Sequence, residues 1–268
     1  MATNDQQPGE ITGAVLFYQK PEPLAPELHS GLGVKTIDGP FRFAKSGHAV
    51  PLTVGEFPLA ALTGPIIFVG DDRMPVAVMG LNPGDNMFVN DRGLFDPGVY
   101  IPAYIRRYPF VFATDDVNER MVLCIDRTAD FIVDAAQADT PFFEKDGQPS
   151  DYTKRCMEFC NNFEVERRRT VGFVDILKSL DLFETKTATF TPMNPDGTPG
   201  EAQKVAEYFG VSEEKLLKLP PEKFIELRDN GALSQIYAHL ISLAGWDRLM
   251  AIAITRAQQA APPQAANA

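Results

Sequence analysis

Apolar residues in the first half of the chain come in short runs punctuated by turn residues. Pro65–Val69 (PIIFV) and Pro75–Gly80 (PVAVMG) flank the turn Gly70-Asp-Asp-Arg73, and Met87–Val89 lies between Asn82-Pro-Gly-Asp85 and Asn90-Asp-Arg-Gly93. Phe110–Ala113 and Met121–Ile125 are two further runs, joined by the polar TDDVNE. Such runs predict strands, and connections this short leave no room for crossover helices, so the pairing is antiparallel. Ala14–Tyr18 is another apolar run, ending at the proline-rich QKPEPLAPE, expected as a loop. Thr53-Val-Gly-Glu56 matches a capping box and predicts a short helix start despite Pro58.

The pattern changes after residue 150. Ser150 is placed to cap a long helix, with Cys156, Cys160, Phe163, Val174 and Leu177 on one stripe. Residues 187–200, which end within MNPDGTPGE, read as a loop. Ser212 opens a short helix, a second runs over Pro221–Asp229, and Asn230-Gly231 stops it. A last helix follows, burying Ile236, Leu240 and Leu243. The fold class is therefore α+β: an N-terminal antiparallel twisted sheet or partly open barrel packed against C-terminal helices. Residues 11–255 are expected as a single domain, β-rich over 11–145 and helical over 150–255. Residues 1–10 and 256–268 carry the composition of disordered ends.

Charge narrows the function classes. The 268 residues include 36 acidic and 25 basic side chains, a formal net charge of -11. That balance opposes general nucleic-acid binding, which needs a basic face. The most apolar long stretch, Leu233–Ile254, is interrupted by His239, Asp247 and Arg248, so no membrane span is expected. MATNDQQPGE lacks a positive region and apolar core, which makes the cytoplasm the default location. Surface association through export without a cleaved signal is the alternative. Three cysteines form no disulfide framework, and Cys156 with Cys160 lacks the second pair of a zinc site. No metal and no cofactor is expected, and phosphate-loop, dinucleotide and nucleophile-elbow motifs are absent.

The densest candidate chemistry lies in Tyr100–Phe112, YIPAYIRRYPFVF. Tyr100, Tyr104 and Tyr108 surround Arg106 and Arg107, a mixture suited to binding carboxylates, phosphates or sugar rings. Bracing of a sheet corner is the other reading of the same residues. In an extended segment the two arginines face opposite sides, so one lines a groove and the other pairs with an acid. Secondary candidates are His48 in a loop, the Asp71–Asp72 pair at a strand end, and Arg167, which the helical stripe places near the buried face. His239 is expected to be a hydrogen-bonded structural histidine.

FYQKPEPLAPELHSGLGVK, HAVPLTVGEFPLAA, IIFVGDD, PVAVMGL, PGVYIPAYIRRYPFVFA, LCID and LPPEKFIELRDNGALSQIYAHLISLAGWDRL follow one another over residues 16–250. In this order and coverage the chain resembles the bacterial SapC family, whose name comes from a surface-layer-associated protein. The resemblance carries over no catalytic residues. It implies genes often set near outer-membrane receptors, cupin-like proteins and halogenase-like flavoproteins, hence an accessory role in uptake or protein modification. The functional expectation is a non-catalytic binding protein recognising a peptide, glycan or protein partner. An enzyme with a dispersed His/Asp/Tyr site and a surface-layer structural component are the alternatives.

Overall fold

The structure, a computed structural model, describes residues 15–115, 120–191, 198 and 200–260. The two expected disordered ends lie largely outside these residues, as do most of MNPDGTPGE and of TDDVNE. In chain order the elements are β1 (Pro21–Pro23), α1 (Pro26–His29), β2 (Leu32–Val34), β3 (Ala49–Pro51), α2 (Phe57–Ala60), β4 (Ile66–Val69) and β5 (Met74–Val78). Then come α3 (Ala103–Arg106), β6 (Phe110–Asp115), β7 (Arg120–Asp126), β8 (Ile132–Asp134), β9 (Thr140–Pro141) and α4 (Asp151–Ser179). The chain closes with β10 (Phe183–Phe190), β11 (Gln203–Val211), α5 (Glu213–Leu217), α6 (Pro221–Asp229), α7 (Ala232–Ser242) and α8 (Gly245–Ala260).

The fold is α+β, and every strand pairing is antiparallel. Among the described residues the strands form three sheets and no closed barrel: β1-β7-β6, β8-β2-β9 and the five-stranded β10-β11-β4-β5-β3. The hairpin of β4 and β5 turns at Gly70–Arg73, with Ile66 opposite Ala77 and Val69 opposite Met74. β6 pairs with β7 from Phe110↔Ile125 to Asp115↔Arg120. Met87–Val89 joins no ladder; Val89 makes one isolated bridge to Phe95. The proline-rich stretch is partly ordered into β1 and α1, since Pro26 starts a helical turn with no amide to satisfy.

The second half departs from the expected pattern of helices with one loop over residues 187–200. Thr187–Phe190 belongs to β10, and β10 with β11 makes a long hairpin inside the main sheet. FETKTATF alternates threonines and charges with few apolar anchors, so an edge strand of this kind reads as loop in a hydrophobic profile. β11 meets β4 at Phe209↔Phe68, which places the C-terminal hairpin in one sheet with the N-terminal strands. The expected last helix is two, α7 and α8, and α8 continues to Ala260, past the expected boundary at 255. Ile236 is buried, whereas Leu240 and Leu243 are half-buried.

Helix α4 joins the two hydrophobic cores. Ser150 caps it, its side chain accepting from the Thr153 amide. Cys160 packs with Leu32, Phe110, Ile125 and Phe142 in the smaller core. Phe163, Phe173, Val174 and Leu177 enter the larger one with Phe57, Ile66 and Phe68. The capping box at Thr53–Glu56 forms as expected, and α2 follows it directly with Pro58 in its first turn.

Candidate functional site

The segment Tyr100–Tyr108 is not extended. Pro102 leads into the single turn of α3, and the Tyr108–Pro109 bond is cis before β6 begins. The helical turn rotates Arg106 and Arg107 into different surroundings, so the expected five-residue groove does not assemble. Neither arginine forms an ion pair among the described residues, which corrects the expectation that one pairs with an acid.

Tyr100 and Arg106 form the outer part. Arg106 is exposed; its Nε donates to the Ile101 carbonyl at 2.9 Å and its guanidinium to the Tyr100 hydroxyl at 3.2 Å. The Tyr100 hydroxyl donates to Glu56 Oε1 at 2.9 Å, an atom that also accepts from the Ala103 amide at 2.6 Å. Burial, and then the adjacent Glu56 carboxylate, push the Tyr100 phenol up to about 12. The other oxygen of Glu56 accepts from the Thr53 amide and hydroxyl. Glu56 is buried and holds the capping box against the start of α3.

Arg107 is 7% exposed and lies between rings. Its guanidinium carbon is 4.2 Å from the Tyr104 ring centre and 4.4 Å from that of Phe163. Its Nε has no hydrogen-bond partner among the described residues. Since Phe163 is on α4 and Tyr104 on α3, the cation acts as packing between elements. Burial raises the Tyr104 phenol, with nearby Arg107 opposing the rise.

Tyr108 faces elsewhere. Its ring stacks on Phe43 with centres 4.0 Å apart and planes at 27°. Phe131 meets it edge-on at 6.0 Å and Tyr18 at 5.2 Å. Its hydroxyl leans towards Asp126 Oδ2 at 3.4 Å, and burial followed by that carboxylate raises the phenol well above its usual range. Asp126, itself buried, accepts from the amides of Gln19, Lys20 and Thr128 and from the Thr128 hydroxyl. Burial opposes its ionisation, but these donors hold its carboxyl below the usual range.

Beside Tyr108 is a cavity of about 250 Å³. Phe43, Tyr108 and Phe131 form its aromatic walls, with Ile37 and Pro40 next to them. Arg42, Asp130, Gln19 and Thr128 supply the polar lining. Arg42 and Asp130 are both exposed, and among the described residues neither has a side-chain hydrogen bond or ion pair. Gly39, in the wall, has φ +78°, and a Cβ there would lie 1.8 Å from the Arg92 carbonyl oxygen. The backbone therefore packs where only glycine fits. Of the five residues expected to share a site, Tyr108 alone lines this cavity. Phe43, Arg42, Asp130 and Phe131 carry no spacing signal in the sequence, because the fold brings them together from segments nearly ninety residues apart.

The secondary candidates are scattered. His48 is half-buried, does not line the cavity beside Tyr108 and has no carboxylate in hydrogen-bond reach among the described residues. Asp71 and Asp72 are exposed in the β4–β5 turn. Arg167 points to solvent rather than to the buried face, and its Nε pairs with Glu164 Oε2 at 2.7 Å. The i, i+3 carboxylate and the long aliphatic stem let the side chain leave the stripe while Thr170 takes the buried position. His239 is a buried structural histidine: Nε2 accepts from the Val211 amide and Nδ1 donates to the Ile66 carbonyl. Cys124 and Cys160 are buried, Cys156 is half-buried, and burial raises all three thiols. No helix is long and apolar enough to cross a membrane among the described residues, and they contain no metal-binding cluster.

The fold and cavity define an all-antiparallel α+β protein with a small aromatic pocket carrying charges of both signs. The family model described as SapC matches residues 24–249, and the chain belongs to the SapC family. Neither the search of curated proteins nor that of solved structures returned a match.

Proposed function

We propose that this SapC-family chain is a non-catalytic binding protein with an accessory role, recognising a peptide, glycan or protein partner at the cavity beside Tyr108. The observation that supports it is the combination, in one concave site, of three aromatic walls with a cation and an anion that have no ion-pair partner among the described residues. Rigid aromatics supply contact area at low entropic cost, and free charges of both signs orient a partner. The candidate groups for a dispersed acid–base site, His48, Asp71 and Asp72, stand apart from this cavity, which weighs for recognition over chemistry. The accessory role, in outer-membrane uptake or protein modification, is part of the proposal and is what the resemblance to the family implies.

The test is affinity capture from native lysate, then titration of each captured partner against Arg42→Ala, Phe131→Ala and Arg106→Ala variants of unchanged circular dichroism. The first two are expected to weaken binding and the third to leave it intact. Undiminished binding by Arg42→Ala and Phe131→Ala overturns the assignment.

A further inference from the structure

The cavity's size and ring geometry narrow the ligand class, resting on the binding role proposed above. Pockets for drug-sized ligands span roughly 300–1,000 Å³. At about 250 Å³ this one takes a single side chain or a single small ring. A sugar ring packs its C–H face on an open aromatic face. Here Tyr108 and Phe43 cover one another at 27°, and Tyr18 and Phe131 crowd the remaining approaches to Tyr108. The stacked faces of Tyr108 and Phe43 are closed to a ligand, and their edges suit an apolar or aromatic side chain in edge-to-face contact.

The charges carry the argument further. Arg42 and Asp130 line the same small cavity yet do not pair with each other. A side chain seated between them carries its own backbone past both. Flanking residues of opposite sign would then neutralise each in turn, the acid on the planar Arg42 guanidinium and the base on Asp130. We infer that the cavity beside Tyr108 is an anchor pocket for one apolar or aromatic side chain of a peptide segment, with an acidic neighbour meeting Arg42 and a basic neighbour meeting Asp130.

Fluorescence polarisation with labelled, end-capped pentapeptides tests it. The probes are Gly-Glu-Phe-Lys-Gly, its reversed-charge partner Gly-Lys-Phe-Glu-Gly, and both with the central Phe replaced by Gly. One charge order is expected to bind about tenfold more tightly than its Gly-centred version and than the other order. The double charge reversal Arg42→Glu with Asp130→Lys, at two exposed positions, is expected to invert that preference. Equal affinity for Gly-centred probes, or an order preference unmoved by the reversal, overturns the inference. If no pentapeptide binds while captured partners still depend on Phe131 and Arg42, the peptide class falls and the binding role stands. If no captured partner depends on them, both fall.

Discussion

His239 Nε2 accepts a hydrogen bond from the Val211 amide at 3.0 Å, tying helix α7 to the last residue of β11. The other ring nitrogen donates to the Ile66 carbonyl at 2.9 Å, so one neutral imidazole spans β11 and β4, where the ladder itself has a single register pair. Ser242, one turn on, accepts from the Ile66 amide at 2.9 Å and donates to the His239 carbonyl. These side chains complete the hydrogen bonding of a seam that backbone pairing leaves short.

Protonation of His239 is disfavoured by burial, and Lys186 adds to the effect; its pKa is lowered from 6.5 to about 4. The folded value lies below the unfolded one, so its stability contribution is complete above pH 6.5 and is lost as pH falls from 6.5 to 4. The full loss is about 3 kcal/mol. Urea midpoints measured between pH 7 and pH 4.5 are expected to fall in the native chain. In His239→Gln, with no titrating ring, that part of the pH dependence disappears.

Glu56 accepts four hydrogen bonds, from Thr53 twice, Tyr100 and Ala103. Glu56→Ala leaves buried donors without acceptors, at about 1–3 kcal/mol for each one that water cannot reach. A loss of at least ~3 kcal/mol is expected from denaturant unfolding. Tyr100→Phe, which removes one donor with its partner's other bonds intact, is expected to cost about 1 kcal/mol.

Arg107 is a buried cation with ring partners and, among the described residues, no carboxylate partner. Its role is therefore volume and cation–π contact more than charge. Arg107→Met keeps most of the volume and removes the desolvation cost, so stability is expected to change by ~1 kcal/mol or less. Arg107→Ala opens a gap between Tyr104 and Phe163 and is expected to cost about 2–4 kcal/mol. Thermal or urea unfolding of the pair distinguishes the two; equal, large losses would show that the charge itself matters.

Arg167→Ala removes an ion pair between an exposed arginine and a half-buried Glu164 and is expected to shift stability by no more than about 1 kcal/mol. Gly39→Ala is the opposite case. A positive φ and a Cβ 1.8 Å from the Arg92 carbonyl oxygen force the backbone apart at the cavity wall. A loss of about 2 kcal/mol or more is expected, with weaker binding at the cavity in the same variant.

Local rules made much of the fold legible. The Ser150 cap, the Thr53–Glu56 capping box, the Gly70–Arg73 hairpin and the Gly231 stop each depend on residues within a few positions of one another. The β10–β11 hairpin was not legible, because Thr185, Lys186 and Thr187 have no hydrophobic signature and gain their place by pairing with Phe209, Tyr208 and Glu207. Arg167 fits the helical stripe by spacing, yet a glutamate three residues away draws it to solvent. In the candidate site, Tyr108 stood out by composition. Arg42, Phe43, Asp130 and Phe131 did not, since no periodicity relates residues so distant in the chain.

Sequence alone determined the antiparallel α+β class, the helix boundaries that caps and glycines set and the SapC resemblance. These depend on short-range sterics, on hydrogen bonding near each residue and on apolar periodicity. Tertiary structure alone decided that Arg106 and Arg107 part company, because one turn of helix between Pro102 and the cis Tyr108–Pro109 bond rotates adjacent side chains away from each other. It also decided that Tyr108 shares a cavity with Arg42 and Asp130, a meeting that packing between distant segments creates and that no local preference encodes.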